Sequence, residues 1–167
     1  MKKLSIILTI AMFMLIFSNV AYSSDKGKKG FEKLKTLVGT WQSKMPEGEA
    51  TTINYRIVSN GSAIMETISS KEDENMITMY HLDGSNLMMT HYCSIGNQPR
   101  MKAEVNNDNF NELHFRFVDI TNLKNKDDGY MSNLDIKFLD NDHLIHNWTF
   151  TKDGKNTVHT FNAEKLK

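Results

Sequence analysis

Residues 90–100 read THYCSIGNQPR, and this stretch gathers more side chains able to bind or react than any other part of the chain. His91 and Cys93 are metal-capable and nucleophilic, Gln98 brings an amide, and Arg100 brings a guanidinium. On a strand, residues i and i+2 share a face, so His91 and Cys93 point the same way as Leu87 and Met89. If that apolar pair faces the interior of a β-structure, the imidazole and the thiol face it too. The preceding segment carries a similar alternating set, Ile77, Met79 and His81.

Three chemistries compete for these residues. His81, His91 and Cys93 have the softness to hold zinc or copper, but the Cys-x-x-Cys and His-x-x-x-His pairs of structural zinc sites are missing, so no metal is expected. A Cys93 nucleophile with His91 as its base is the second. Their side chains start about 7 Å apart along one strand, beyond the roughly 3 Å a general base needs. No Gly-x-Ser-x-Gly elbow, paired-carboxylate motif or phosphate-binding glycine loop stands elsewhere, so the enzyme reading is an alternative and no catalytic residue is assigned.

The third chemistry is binding. Eight of the 11 methionines lie beyond Met14, and Met65, Met79, Met89 and Met101 all fall at positions able to face inward, with Tyr55 beside them. Methionine adapts its shape, so a lining of this kind, tipped by His81, His91 and Cys93, suits a small apolar or amphipathic ligand. The competing reading is a solid core built from the same residues. Gln98 and Arg100 follow Gly96, where the chain turns, and could present their groups to a carboxylate or phosphate head group. Arg100 also alternates with Lys102 and Glu104, which would place it on the solvent face instead. His146 shares a face with Trp148 and Phe150 and reads as a core histidine.

The elements that must carry these residues follow from patterning. Lys2 and Lys3 precede an apolar run from Leu4 to Phe17 and small residues at Ala21 and Ser23. That pattern reads as a cleaved secretory signal peptide over residues 1–23, its apolar run too short for a membrane span. The expected location is periplasmic or secreted, with no stable membrane insertion. Removing residues 1–23 leaves 144 of the 167 residues, enough for one domain at 24–167. Lys and Arg balance Asp and Glu at 20 each over the whole chain, and no basic surface advertises nucleic acid. Cys93 is the only cysteine. A buried space-filling thiol is the plainer reading, an intermolecular disulfide or a functional thiol the alternatives.

Phe31, Leu34, Leu37 and Val38 recur at helical spacing and predict a short helix over 30–38, after a flexible lysine-rich entry. Period two then takes over. Strands are predicted around 41 and at 49–58, 63–69, 76–82, 86–93, 99–105, 110–118, 130–139, 143–151 and 156–165. They are separated by Gly, Asn and Asp turns, and by a longer link at 119–129 that could hold a helical turn. Pro46 and Pro99 fall at strand ends. The expected fold is an all-β, antiparallel up-and-down barrel of about 8–10 strands with a short N-terminal helix.

Leu37-Val38-Gly39-Thr40-Trp41 contains the Gly-x-Trp that opens the first strand of lipocalin-like, or calycin, barrels, and residues 79–101 resemble a group of exported bacterial proteins of that kind. The resemblance implies a non-catalytic binder of a small hydrophobic or amphipathic molecule. It also implies structural anchors at Gly39 and Trp41, with Lys165 or Lys167 in place of the arginine that usually covers the tryptophan. Haem barrels of the nitrobindin type are neighbours in this comparison. Ser43 and Met45 stand where their later glycines would be, while His159 falls near the place of an axial histidine. No cofactor is expected, with haem as the alternative. A filled structural or protein-interaction barrel is the remaining alternative.

Overall fold

The structure, a computed structural model, describes residues 26–44, 50–70, 76–104, 110–125 and 127–167. The segment read as a signal peptide, Pro46 and the turns at 71–75 and 106–109 lie outside the described residues. No helix among the described residues is long and apolar enough to cross a membrane.

Alternating apolar and polar residues become ten strands among the described residues. They are β1 (Gly39–Lys44), β2 (Ala50–Val58), β3 (Ala63–Ser69), β4 (Met76–Asp83), β5 (Asn86–Tyr92), β6 (Gln98–Glu104), β7 (Glu112–Thr121), β8 (Tyr130–Phe138), β9 (His143–Lys152) and β10 (Lys155–Lys165). Each pairs antiparallel with its neighbour in sequence, and β10 returns to β1 with Lys165 opposite Trp41, so the sheet is a closed barrel. Closure satisfies the backbone groups that an edge strand would leave open. The turns carry the residues their backbone requires: Asp153 and Gly154, at φ of 50° and 70°, join β9 to β10 as an Asp-Gly hairpin.

The expected all-β barrel with a leading helix is the fold that forms. The helix, α1, spans residues 26–35 rather than 30–38. The entry that reads as flexible is helical because its glycines face the barrel. A Cβ on Gly27 would lie 2.0 Å from the Ser85 carbonyl oxygen, and one on Gly30 would lie 3.1 Å from Leu87 Cδ2. Close approach to the β4–β5 turn outweighs the roughly 1 kcal/mol helical penalty of each glycine. Phe31, Leu34 and Leu37 then join the core and close this end of the barrel. The link after β7 holds no helical turn among its described residues, since β7 itself runs on to Thr121.

Inside, Ile53, Tyr55, Ile64, Tyr80, Met89, Met101, Phe115, Leu134 and Ile136 are fully covered, so the middle of the barrel is solid. The facing of β3 and β4 corrects the sequence reading. Ile64, Glu66 and Ile68 point inward from β3, and Thr78 and Tyr80 from β4. Met65, Met79, Ile77 and His81 therefore lie on the outer face, with Met65 directly opposite Met79. Strand periodicity makes this an all-or-none choice, because exchanging one residue exchanges the whole face. The hydrogen bond from Tyr80 to Glu66 inside the barrel goes with the set that faces in.

Candidate ligand cavity

Strand β5 runs from the helix-capped end of the barrel to the opposite end. Leu87 sits under α1, Met89 fills the middle, and His91 emerges at the floor of a cavity of about 290 Å³. Cys93, just past the strand, is half-buried in the cavity wall rather than sealed in the core. Ile68 from β3 and Met76 from β4 form one side, Met131 from β8 and Phe150 from β9 another, and Trp148, Phe161, His159, Ser94 and Ile95 complete the lining. Trp148 and His159 are cross-strand partners, so they share the inner face. Trp148 is buried at the floor, while His159 and Ile95 are exposed at the rim. No Lys, Arg, Asp or Glu lines the cavity among the described residues.

The rim is braced by amides. Asn97 Nδ2 donates to the Gly129 carbonyl at 2.9 Å, tying the β5–β6 turn to the link before β8. Gly129 lets the Phe150 ring pack against the backbone, since an added Cβ would lie 2.0 Å from Phe150 Cζ and push the ring aside. Gln98 Nε2 donates to the Gly96 carbonyl at 3.0 Å, and Gln98 Oε1 accepts from Thr121 Oγ1 at 2.7 Å. Both ends of that amide brace the turn, and Gln98 is not among the residues that line the cavity. Arg100 is outside: its guanidinium pairs with Asp119 on the exposed face, in register with it across β6 and β7. That pairing raises the Arg100 pKa and lowers that of Asp119, through their hydrogen bonds first. The head-group role read for Arg100 gives way to the solvated alternative.

At the floor, Thr78 Oγ1 lies 3.0 Å from His91 Nδ1, and the His91 and Trp148 rings pack with centroids 4.6 Å apart. His91 Nε2 and Trp148 Nε1 are buried without a hydrogen-bond partner. Burial pushes the His91 pKa down to about 4, which keeps the imidazole neutral at physiological pH. With Nδ1 bonded to Thr78 and Nε2 unpartnered, His91 makes no hydrogen bond to Cys93, so the pair is not set as nucleophile and base. His81 stands on the outer face, away from His91 and Cys93, and among the described residues no three His, Cys, Asp or Glu converge as a metal set.

Below the floor lies a second polar group that sequence reasoning missed. Glu66, buried completely, accepts a hydrogen bond from the Tyr80 hydroxyl. Tyr55 Oη lies 2.8 Å from His146 Nε2, and His146 Nδ1 lies 3.6 Å from Glu66 Oε1. The last contact has the partners of an ion pair but not the charges. Desolvation raises the Glu66 pKa to about 7 and lowers that of His146 to about 3, so both favour the neutral form. The same burial, reinforced by Glu66, raises both tyrosines. The signal was in β3: glutamate stands between Ile64 and Ile68, at the period of an inward face.

Of the ten ligand-contact candidates read from sequence, His91 and Cys93 reach the cavity. Tyr55, Met89 and Met101 face inward but fill the solid core. Gln98 and Arg100 serve the rim and the outer surface, and Met65, Met79 and His81 face outward. The floor and wall are instead completed by Trp148, Phe150 and Phe161, residues whose period-two spacing on β9 and β10 marks one face without showing that the face is left open. At the closed end, Trp41 donates its Nε1 proton to the Leu37 carbonyl at 2.7 Å, and Lys165 Nζ sits 5.2 Å over its ring. Gly39, at φ 128°, leaves room for the Lys165 stem.

No protein-family model and no curated protein matches this sequence. Among solved structures, Rv2717c from M. tuberculosis is similar at a TM-score of 0.48 and 11% identity, over 83% of this chain and 98% of that one.

Proposed function

We propose that this barrel is an exported protein that binds a small, mostly apolar molecule in the cavity opposite its helical plug, without chemically altering it. The observation that carries this reading is an apolar-walled cup of about 290 Å³ whose floor holds two buried, unpartnered nitrogens. Such a combination, apolar walls with a few placed polar groups, is how small-molecule sites are built, and the size falls at the small end of their usual range of about 300–1,000 Å³. The helix closes the other end, so a ligand enters past Ile95 and His159. Export is the part of the proposal that rests on residues 1–23 alone.

Native mass spectrometry of the protein purified from its own host, with organic extraction, tests the reading. A co-purified molecule released by solvent supports it. A bare protein that also fails to take up a neutral fluorescent dye such as N-phenylnaphthylamine would sink it. His159 at the rim favours one other reading, a haem held at the mouth. The fit is poor, because the cavity is small for a porphyrin and among the described residues no Lys or Arg lines it to meet the propionates. An absorption spectrum of the same preparation separates the two.

A further inference from the structure

The floor of the cavity carries more information than its apolar walls. Trp148 Nε1 can only donate a hydrogen bond. His91 can do either, and its partner decides which. In the tautomer in which the Thr78 hydroxyl donates to His91 Nδ1, the ring proton stands on Nε2. Two buried N–H groups without a partner then belong to rings packed 4.6 Å apart at the bottom of an apolar cup. An unsatisfied buried donor costs about 1–3 kcal/mol, so a ligand able to accept from either recovers that cost on binding.

We infer that the cavity selects small uncharged molecules bearing a carbonyl oxygen, such as a ketone, aldehyde or ester, and that the oxygen enters first, toward His91 and Trp148. The inference rests on the ligand-binding reading above and names its ligand class. Residue types order the depth of the cup. His91 and Trp148 are buried at the floor, Met131, Phe150 and Phe161 are half-buried on the wall, and Ile95 is exposed at the rim. A molecule with one polar end meets buried nitrogens only if that end goes down, because the other polar side chains of the lining, Ser94 and His159, are exposed to water and Cys93 offers only a weakly polar thiol.

A carboxylate meets a different environment. Among the described residues no Lys or Arg lines the cavity, and Arg100 is spent on Asp119 outside the barrel. Burial keeps His91 neutral, so an anion at the floor would be a buried charge without a counter-charge. His159 at the rim would meet the polar end of a ligand inserted the other way round.

The test is a matched series displacing N-phenylnaphthylamine from the purified protein at about pH 8: methyl octyl ketone, decane and decanoate. The expected order is ketone tightest, by about tenfold over decane, as one satisfied hydrogen bond implies. Decanoate equal to or tighter than the ketone overturns the inference while leaving the binding site intact. Failure of the dye and all three compounds to bind overturns the site itself. Trp148→Phe, which keeps the ring and deletes the N–H, should cost the ketone about tenfold and leave decane unchanged. Equal losses for both would also overturn the inference, and if the variant does not fold, the wild-type order decides.

Discussion

The Tyr80 hydroxyl donates its hydrogen bond to Glu66 in the middle of the barrel, where both side chains are fully covered. A carboxyl group placed there is held by the fold in a state that free glutamate does not keep. Desolvation carries its pKa from 4.5 to about 7, against the opposing pull of the tyrosine hydrogen bonds.

Stability should therefore respond to Glu66 in a defined pH window. Between about 4.5 and 7 the folded protein holds a proton that the unfolded chain has released, so this contribution is complete below 4.5 and lost as pH rises through 7. Glu66→Gln mimics the protonated acid. The stability of the variant minus that of the wild type should rise by about 3 kcal/mol between pH 4.5 and pH 8, measured by urea unfolding. A difference flat across that range would show that Glu66 is ionised throughout.

The buried histidines act on the other side. His91 and His146 are depressed to about 4 and about 3, so their contribution is present above the unfolded value of 6.5 and lost as pH falls through 4 and 3. Ring-nitrogen NMR at pH 5.5 should show both imidazoles neutral. A protonated His146 at that pH would mean that its contact with Glu66 is an ion pair after all.

At the closed end, Gly39→Ala should destabilise for two reasons that add. Its φ of 128° strains any residue with a side chain, and the new Cβ would lie 3.1 Å from Lys165 Cε. A loss of about 1–3 kcal/mol is expected. Lys165→Met keeps the stem over Trp41 and deletes the charge, and should cost only about 0.5–1 kcal/mol. Thermal melts of the two variants check the order.

Arg100→Ala should change neither the melting temperature nor ligand affinity. The Arg100–Asp119 pair lies on the outer face with both side chains about half exposed, where water and salt screen it. Weaker dye binding in this variant would return Arg100 to the cavity's mouth.

Cys93 should react with a thiol reagent such as Ellman's in the folded protein, because it is half-buried in the cavity wall. Bound ligand should slow that reaction, and Cys93→Ser should fold and retain the dye. A thiol that reacts only after denaturation would place it in the core.

How much of this was legible in advance varies by element. Period-two alternation with Asp-Gly and Ser-Asn-Gly turns was enough for an antiparallel barrel, because those signals are local and each strand repeats them. On β5 the alternation was also unambiguous, and Leu87, Met89 and His91 face inward as their pattern implies. On β3 and β4 both faces carry apolar residues. Met65 and Met79 compete with Ile64 and Ile68, and the hydrogen bond from Tyr80 to Glu66 inside the barrel goes with the set that faces in.

The cavity was the least legible feature. Sequence by itself determined which residues share a strand face, since a two-residue repeat is set by the backbone. It could not determine whether an inward face is filled, because filling depends on what the opposite wall brings to the same depth. Tyr55 and Phe115 meet partners in the middle of the barrel, whereas Phe150, Phe161 and His91 meet open space at its end. That difference arises only when the strands close into a ring and the helix takes one end of it.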